Sequence, residues 1–349
     1  MRATRRIMRS LSAAARSHSA AATSTPPARP EVTFSVEGRA VDVMGTCPVL
    51  KVETTSSCLD VAATLTKQRR HAAVVVDENG ELAGLLSERD FLTKLSLDKG
   101  AASSTAAAQI MTPKEELVLG SGACSVDRVV RRMRKERISS FPLLDDDTGE
   151  VLAVIHKGHI ARQIFDALNQ ENEGPNVGDM LDWHAEKARE GDVRGCSTSL
   201  PPYASLAEAV DLMRDAGSGS LSIFAPPLAT HSHFVMTTSF GLFTEREYVA
   251  SLPLLESRYA DDVELFEVAR FSRGKSKSTM RTIHDADDVV RVRPESITAV
   301  ERATPVRDCL SLMLGNDLLY APVTENKKPI DVVSLRDINL YLAPTDGQT

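Results

Sequence analysis

Two pairs of residues stand at a spacing that can do chemistry: Ser87 with Asp90, and Ser334 with Asp337, each a hydroxyl followed three positions later by a carboxylate. In the first, Gly84-Leu85-Leu86-Ser87-Glu88-Arg89-Asp90, an apolar run stops at the serine and a helical pattern (Phe91, Leu92, Leu95) begins just past it. This reads as a buried strand running into a helix N-cap. A helix N-terminus presents unpaired N–H groups that favour phosphate, and a cap hydroxyl adds a donor. A carboxylate at the next turn position can accept both hydroxyls of a ribose. The same atoms have a plainer use, because the serine oxygen can accept the N–H of the third helical residue while the acid suits the helix dipole. Spacing alone leaves both readings open.

The motif recurs. Asp331-Val332-Val333-Ser334-Leu335-Arg336-Asp337 and Gly241-Leu242-Phe243-Thr244-Glu245-Arg246-Glu247 are close variants, and Ala153-Val154-Ile155-His156-Lys157-Gly158-His159 is a degraded one. A motif met four times makes the chain a repeat protein. Helical stripes precede the copies: Leu59, Ala62 and Ala63 with Thr66; Val126, Val129, Val130, Met133; Leu206, Ala209, Val210, Met213; Val306, Cys309, Leu310, Met313. Apolar strands follow at His71–Val76, Ser140–Leu144, Ser220–Phe224 and Tyr320–Val323, each leading through a turn into the motif strand. A leading strand is expected at Val49–Glu53, Leu117–Leu119, Ile297–Val300 and around Val193–Thr198. The predicted unit is therefore strand, helix, strand, strand, helix. Units of about 60 residues are too small to stand alone, so they should pair.

This order, the stretch AVVVDENGELAGLLSERDFL from Ala73 to Leu92, and the lead-in Ala107-Ala108-Gln109-Ile110-Met111-Thr112 resemble cystathionine β-synthase (CBS) domains. The resemblance covers residues 40–343 and is weakest in the third copy, where Pro226-Pro227 and His231-Ser232-His233 lengthen the hairpin. It implies an α/β fold of α+β repeats: four CBS units in two tandem pairs packed through their sheets as Bateman modules. The expected boundaries are 40–100, 107–168, 177–252 and 286–343, with a charged linker at 253–285.

In that family the matching Ser/Thr and Asp bind the phosphate and ribose of AMP, ADP, ATP or S-adenosylmethionine. Carried over, this implicates Ser87 and Asp90, and Ser334 and Asp337, with Arg89 and Arg336 available for phosphate charge. In the third copy Thr244 keeps the hydroxyl and Arg246 the cation, but Glu247 replaces the aspartate with a longer side chain. In the second, His156 and His159 take both positions, leaving His156 and Lys157 to serve phosphates held by the partner copy. At most two competent sites are expected, one per pair.

The net charge of −7 hides a split, because residues 1–30 hold six arginines and no acid, leaving the remainder at −13. An acidic body argues against general nucleic-acid binding. Arg2 to Arg16 fall on one helical face opposite Ile7 and Leu11, and Ser, Ala and Thr fill the stretch to Pro26. That is the pattern of a mitochondrial presequence, which points to the matrix; a plastid transit peptide and a disordered basic tail on a cytosolic protein are the alternatives. No apolar run is long enough for a membrane span. Five widely spaced cysteines with no Cys-x-x-Cys pair suggest a reducing compartment and no zinc site.

Other candidates are weaker. Gly274-Lys275-Ser276 would need a glycine at 269, where Ala269 stands, to be a P-loop. His231 and His233 lack a third metal ligand nearby. Cys58 and Cys124 stand at helix starts, where a thiol pKa can fall, although small buried side chains are the default reading. No nucleophile elbow, dinucleotide fingerprint or paired His-Glu zinc motif is present.

The chain is thus expected to be a non-catalytic regulator, without a catalytic cofactor, that binds an adenosine ligand and acts on another protein, an enzyme or a complex; it could also form a homodimer. The rival is a ligand-free scaffold subunit of a mitochondrial assembly. A γ-type subunit of an AMP-activated kinase also has four CBS copies, but that kinase works in the cytosol and the presequence argues against it.

Overall fold

The computed structural model describes residues 38–44, 48–168, 174–189, 199–224, 240–271, 299–326 and 328–342. Within them one wiring occurs four times. A short strand runs parallel to a second, which forms an antiparallel hairpin with a third. The sets are Lys51–Glu53, Ala72–Val76 and Leu82–Ser87; Gly120–Ser121, Ser140–Leu144 and Val151–His156; Ser199–Leu200, Ser220–Phe224 and Phe240–Thr244; Val300–Glu301, Tyr320–Glu325 and Lys328–Ser334. One helix joins the first two strands of each set: Cys58–Gln68, Val126–Lys135, Leu206–Ala216 and Val306–Gly315. A second follows the hairpin: Glu88–Lys94, Lys157–Leu168, Glu245–Leu255 and Leu335–Leu342. This is the mixed α/β order expected from the sequence.

Three of the four helical stripes are buried as expected. The first is one residue out of step: Cys58, Val61, Ala62 and Leu65 are buried, while Ala63 and Thr66 are exposed. The cause is the cap. Ser57 accepts the N–H of Asp60, which makes Cys58 the first helical residue and aligns it with Val126, Leu206 and Val306. The correct register also removes the single polar member of that stripe. Burial pushes the Cys58 thiol up to about 11, the opposite of a reactive cysteine.

A second difference concerns Leu117–Leu119, expected as a strand. The strand is Gly120–Ser121, and Leu117 and Leu119 instead fill the interface between the first two sheets, against Val74, Leu82, Leu85 and Val151. Burial on that interface, not strand pairing, explains the leucines.

Two sheets gain a fourth strand. Thr112–Pro113 adds to the first and Arg270–Phe271 to the third, each antiparallel to the hairpin's last strand. The first addition requires glycine, because a Cβ at Gly84 would lie 2.6 Å from the Thr112 carbonyl oxygen. The stretch up to Phe271, read from sequence as the start of a linker, therefore includes a short helix, Leu265–Val268, and this strand.

The lead-ins cross over in twos. Arg39 bridges to Ser125 and Ser57 to Ala106; Asn176 bridges to Pro305 and Ser205 to Glu264. The first and second units thus exchange their leading segments, as do the third and fourth. The helices pack in the other sense. Glu245–Leu255 lies on Cys58–Gln68 and Glu88–Lys94, and Lys157–Leu168 lies on Val306–Gly315 and Leu335–Leu342. One apolar core accordingly joins units one and three, and another joins two and four. The four strand-to-helix junctions meet where these packings intersect.

The segment 1–30, the hairpin histidines His231 and His233, the loop Gly274-Lys275-Ser276, the strand expected at 193–198, and Cys47 and Cys196 lie outside the described residues. Among the described residues no helix is long and apolar enough to cross a membrane, and no His, Cys, Asp and Glu cluster could hold a metal.

Candidate functional site

In all four units the residue three past the cap turns its side chain back to the cap. Ser87 donates to Asp90 Oδ2 from its backbone N–H at 2.8 Å and its hydroxyl at 2.6 Å. Ser334 does the same to Asp337 Oδ2 at 2.8 and 2.6 Å, and its oxygen also accepts the Asp337 N–H at 3.1 Å. Glu247 accepts from the Thr244 hydroxyl, so the longer acid still reaches the cap. Even the degraded second unit closes: His159 Nδ1 accepts the His156 N–H at 3.1 Å. The imidazole does the work of a carboxylate, provided it is neutral. Burial, then the nearby His71, lowers the His159 pKa and favours that form; burial lowers that of His156 further.

The two serine and aspartate pairs nonetheless differ. Both oxygens of Asp90 are engaged, because Oδ1 accepts the Thr112 hydroxyl at 3.0 Å and pairs with Lys94 Nζ at 2.7 Å. Asp337 has no such partners: among the described residues no hydrogen bond or ion pair reaches its Oδ1. Close by, Asp331 is held protonated up to about 7 by burial, with the Asp337 charge adding to the effect.

The arginines divide as well. Arg89 pairs with Glu245 and donates to the Gly217 carbonyl at 3.2 Å. Reciprocally, Arg246 pairs with Glu88 at 3.2 Å and with Asp317 at 3.0 Å. The first and third units thus exchange an ion pair across their shared core. His71 sits within it, with Nδ1 3.0 Å from Glu88 Oε2 and 2.8 Å from Arg246 Nη2, and its ring stacks on His156 at 4.1 Å. Burial alone would raise the Glu88 pKa, but His71 and Arg246 hold it below the ordinary glutamate value. Glu245, which has Arg89 as its main counter-charge, stays raised by burial. Space is tight there: a Cβ at Gly219 would overlap the Tyr320 hydroxyl and come within 2.8 Å of Glu245. Arg336, by contrast, is exposed.

Two clefts open at the junctions. One is lined by Thr244, Arg246 and Glu247 from the third unit and by residues 317–320 of the fourth. The other lies between the second and fourth units and carries Lys157 and Arg336. Sequence reasoning missed Glu88, Glu245, His71 and Tyr320. A signal existed, because Glu-Arg follows the cap in the first and third units but Lys-Gly and Leu-Arg follow it in the second and fourth.

The family comparison reaches three of these four junctions. The CBS domain family matches residues 40–97, 107–166 and 286–344. The CBS domain-containing protein CBSX3, mitochondrial, of Arabidopsis thaliana is 27% identical over 126 residues, 36% of this chain and 60% of that protein. CBSCBSPB1 of the same plant is 23% identical over 298 residues, 83% of this chain and 50% of that protein. The chain thus spans about half to three-fifths of the length of these relatives. Among solved structures, a Methanocaldococcus jannaschii protein described as an archaeal homologue of g-AMPK superposes with a TM-score of 0.62 at 12% identity, over 87% of this chain and 99% of that one. That likeness concerns the fold. With three matched segments covering half of its length, and the same strand wiring around each, the chain belongs to the CBS domain family.

Proposed function

We propose that this chain is a non-catalytic regulatory protein of four CBS units in two tandem pairs, which binds an adenosine ligand and passes the binding event to a partner protein. The crossed lead-ins support the pairing of units one with two and three with four, and residues 199–271 serve as the third unit although the family match omits them. AMP, ADP, ATP and S-adenosylmethionine are the ligands to be considered. The observation that carries the reading is the pair Ser334 and Asp337: a preformed cap whose carboxylate keeps one oxygen open for a ribose, next to the exposed Arg336. Ligand at a junction between units would favour one arrangement of the units, and a partner preferring that arrangement would feel a coupling of about 1–3 kcal/mol. The N-terminal arginine pattern and the mitochondrial designation of the Arabidopsis relative CBSX3 support a mitochondrial location.

The test is calorimetric titration of the folded chain with AMP, ATP and S-adenosylmethionine. Binding of at least one of them is expected, lost in Asp337→Ala and kept in Asp90→Ala. Absence of heat for all three would discard the sensing role.

A ligand-free scaffold is the second reading. It is favoured by the reciprocal pairs Arg89 with Glu245 and Arg246 with Glu88, which occupy two of the cations a phosphate would need. A scaffold keeps its partners in Asp337→Ala, whatever nucleotide is present.

A further inference from the structure

The second unit builds its cap from imidazoles, where the other three use a hydroxyl and a carboxylate. His159 Nδ1 accepts the His156 N–H at 3.1 Å, and His156 Nδ1 accepts the Gly158 N–H at 3.3 Å. Each bond uses a lone pair that the ring nitrogen keeps only while the imidazole is neutral. A carboxylate accepts in its charged form, and a free carboxyl group gives that form up about two pH units below a free imidazole. The two rings are half-buried, so protons can reach them.

Four elements face these rings. From the first unit, His71 stacks on His156 with Glu88 on its Nδ1, and Arg70 adds positive charge near His159. Arg246 of the third unit and Lys157, the next residue in the chain, act on His156. Lys157 in turn faces Glu245, with Arg89 and Arg336 as further cations around it. From the fourth unit, Leu335 packs beside Gly158, and Asn339 donates to the Lys157 carbonyl at 3.0 Å. The helix behind this start, Lys157–Leu168, buries Ile160, Ala161 and Ile164 in the core shared with the fourth unit.

A proton on either Nδ1 removes an acceptor and sets a positive charge at the positive end of the helix dipole. Burial, then His71, lowers both pKa values. The closed start therefore binds fewer protons than an opened one, and opening is favoured as pH falls below the free-imidazole value of about 6.5.

We propose that the histidine cap is an acid-operated release: protonation of His156 and His159 at Nδ1 uncaps Lys157–Leu168, frees its first turn and slackens the second unit's hold on the fourth. The release acts with or without a bound nucleotide and leaves the carboxylate caps of the other units closed.

Amide hydrogen exchange of the full chain at pH 7.5 and pH 5.0, corrected for the intrinsic chemistry of exchange, tests this. Protection of residues 157–161 falls about tenfold or more at the lower pH, because two cap bonds are lost and a dipole repulsion is gained. The helix starts at Glu88, Glu245 and Leu335 change less than about twofold. His156→Asn combined with His159→Asn keeps an acceptor oxygen at each position and removes the titration, so the double variant shows no such fall. Nitrogen-15 shifts of the two wild-type rings report whether Nδ1 carries a proton, and the loss of protection tracks that proton; this decides the matter if the variant does not fold. Full protection at pH 5.0 overturns the proposal, as does an equal loss in the double variant or at all four helix starts. A loss that occurs while both Nδ1 atoms stay unprotonated overturns it too.

Discussion

The first and fourth units share the letters Ser-x-Arg-Asp at the same junction, yet the two sites are physically different. In the first, Asp90 is closed on both oxygens by Ser87, Thr112 and Lys94, and Thr112 is there because a fourth strand is laid beside Gly84. In the fourth unit the sheet has three strands among the described residues, Asp331 replaces that glycine, and Asp337 keeps an oxygen open. The residue after the cap differs too. Glu88 enters the ion-pair exchange with the third unit, whereas Leu335 is buried in the apolar core. One capping motif is thus a structural lock in one place and an open acceptor in another.

The largest effect expected on the first-unit side is that of Arg246→Met. It leaves Glu88 buried with His71 as its remaining close partner, and unpairing a buried charge costs about 3–5 kcal/mol. Chemical denaturation measures it. A loss under about 1 kcal/mol would mean that the exchange is ornamental and the contrast with Leu335 empty.

On the fourth-unit side the decisive residue is Asp331. Its raised pKa means that, between the unfolded value near 4 and the folded value of about 7, the native state holds a proton the unfolded chain has released. Stability therefore falls as pH rises through that window. Asp331→Asn should gain about 2–4 kcal/mol at pH 8 and close to nothing at pH 4. Thermal unfolding at the two pH values checks this, and an equal gain at both would refute the burial of the charge.

The smallest effect compares the caps themselves. Asp90→Ala strands Lys94 and Thr112 as well as the cap and should cost about 2 kcal/mol, against about 1 kcal/mol for Asp337→Ala. Equal costs, measured by urea denaturation, would erase the distinction between lock and acceptor.

Local information carried much of this. The stripes beginning at Val126, Leu206 and Val306, and the strands Ser140–Leu144 and Ser220–Phe224, are legible because burial imprints a period on the sequence. The first stripe slipped by one residue because several apolar residues there fit either register, and only the Ser57 cap separates them. The cap pairs were equally legible, being interactions between residues three apart.

What the sequence determined, then, is the unit: its order of elements, its repetition, and the side chain that folds back on each cap, all set by contacts within a few turns of chain. What only the tertiary structure decided is which acid stays open. That depends on residues distant in sequence, such as Thr112 against Asp90 or Arg246 against Glu88, brought together by crossed lead-ins and by helices packed between the pairs. No local period records such a meeting, because its energy arises from desolvation and charge at a junction that exists only once the units are assembled.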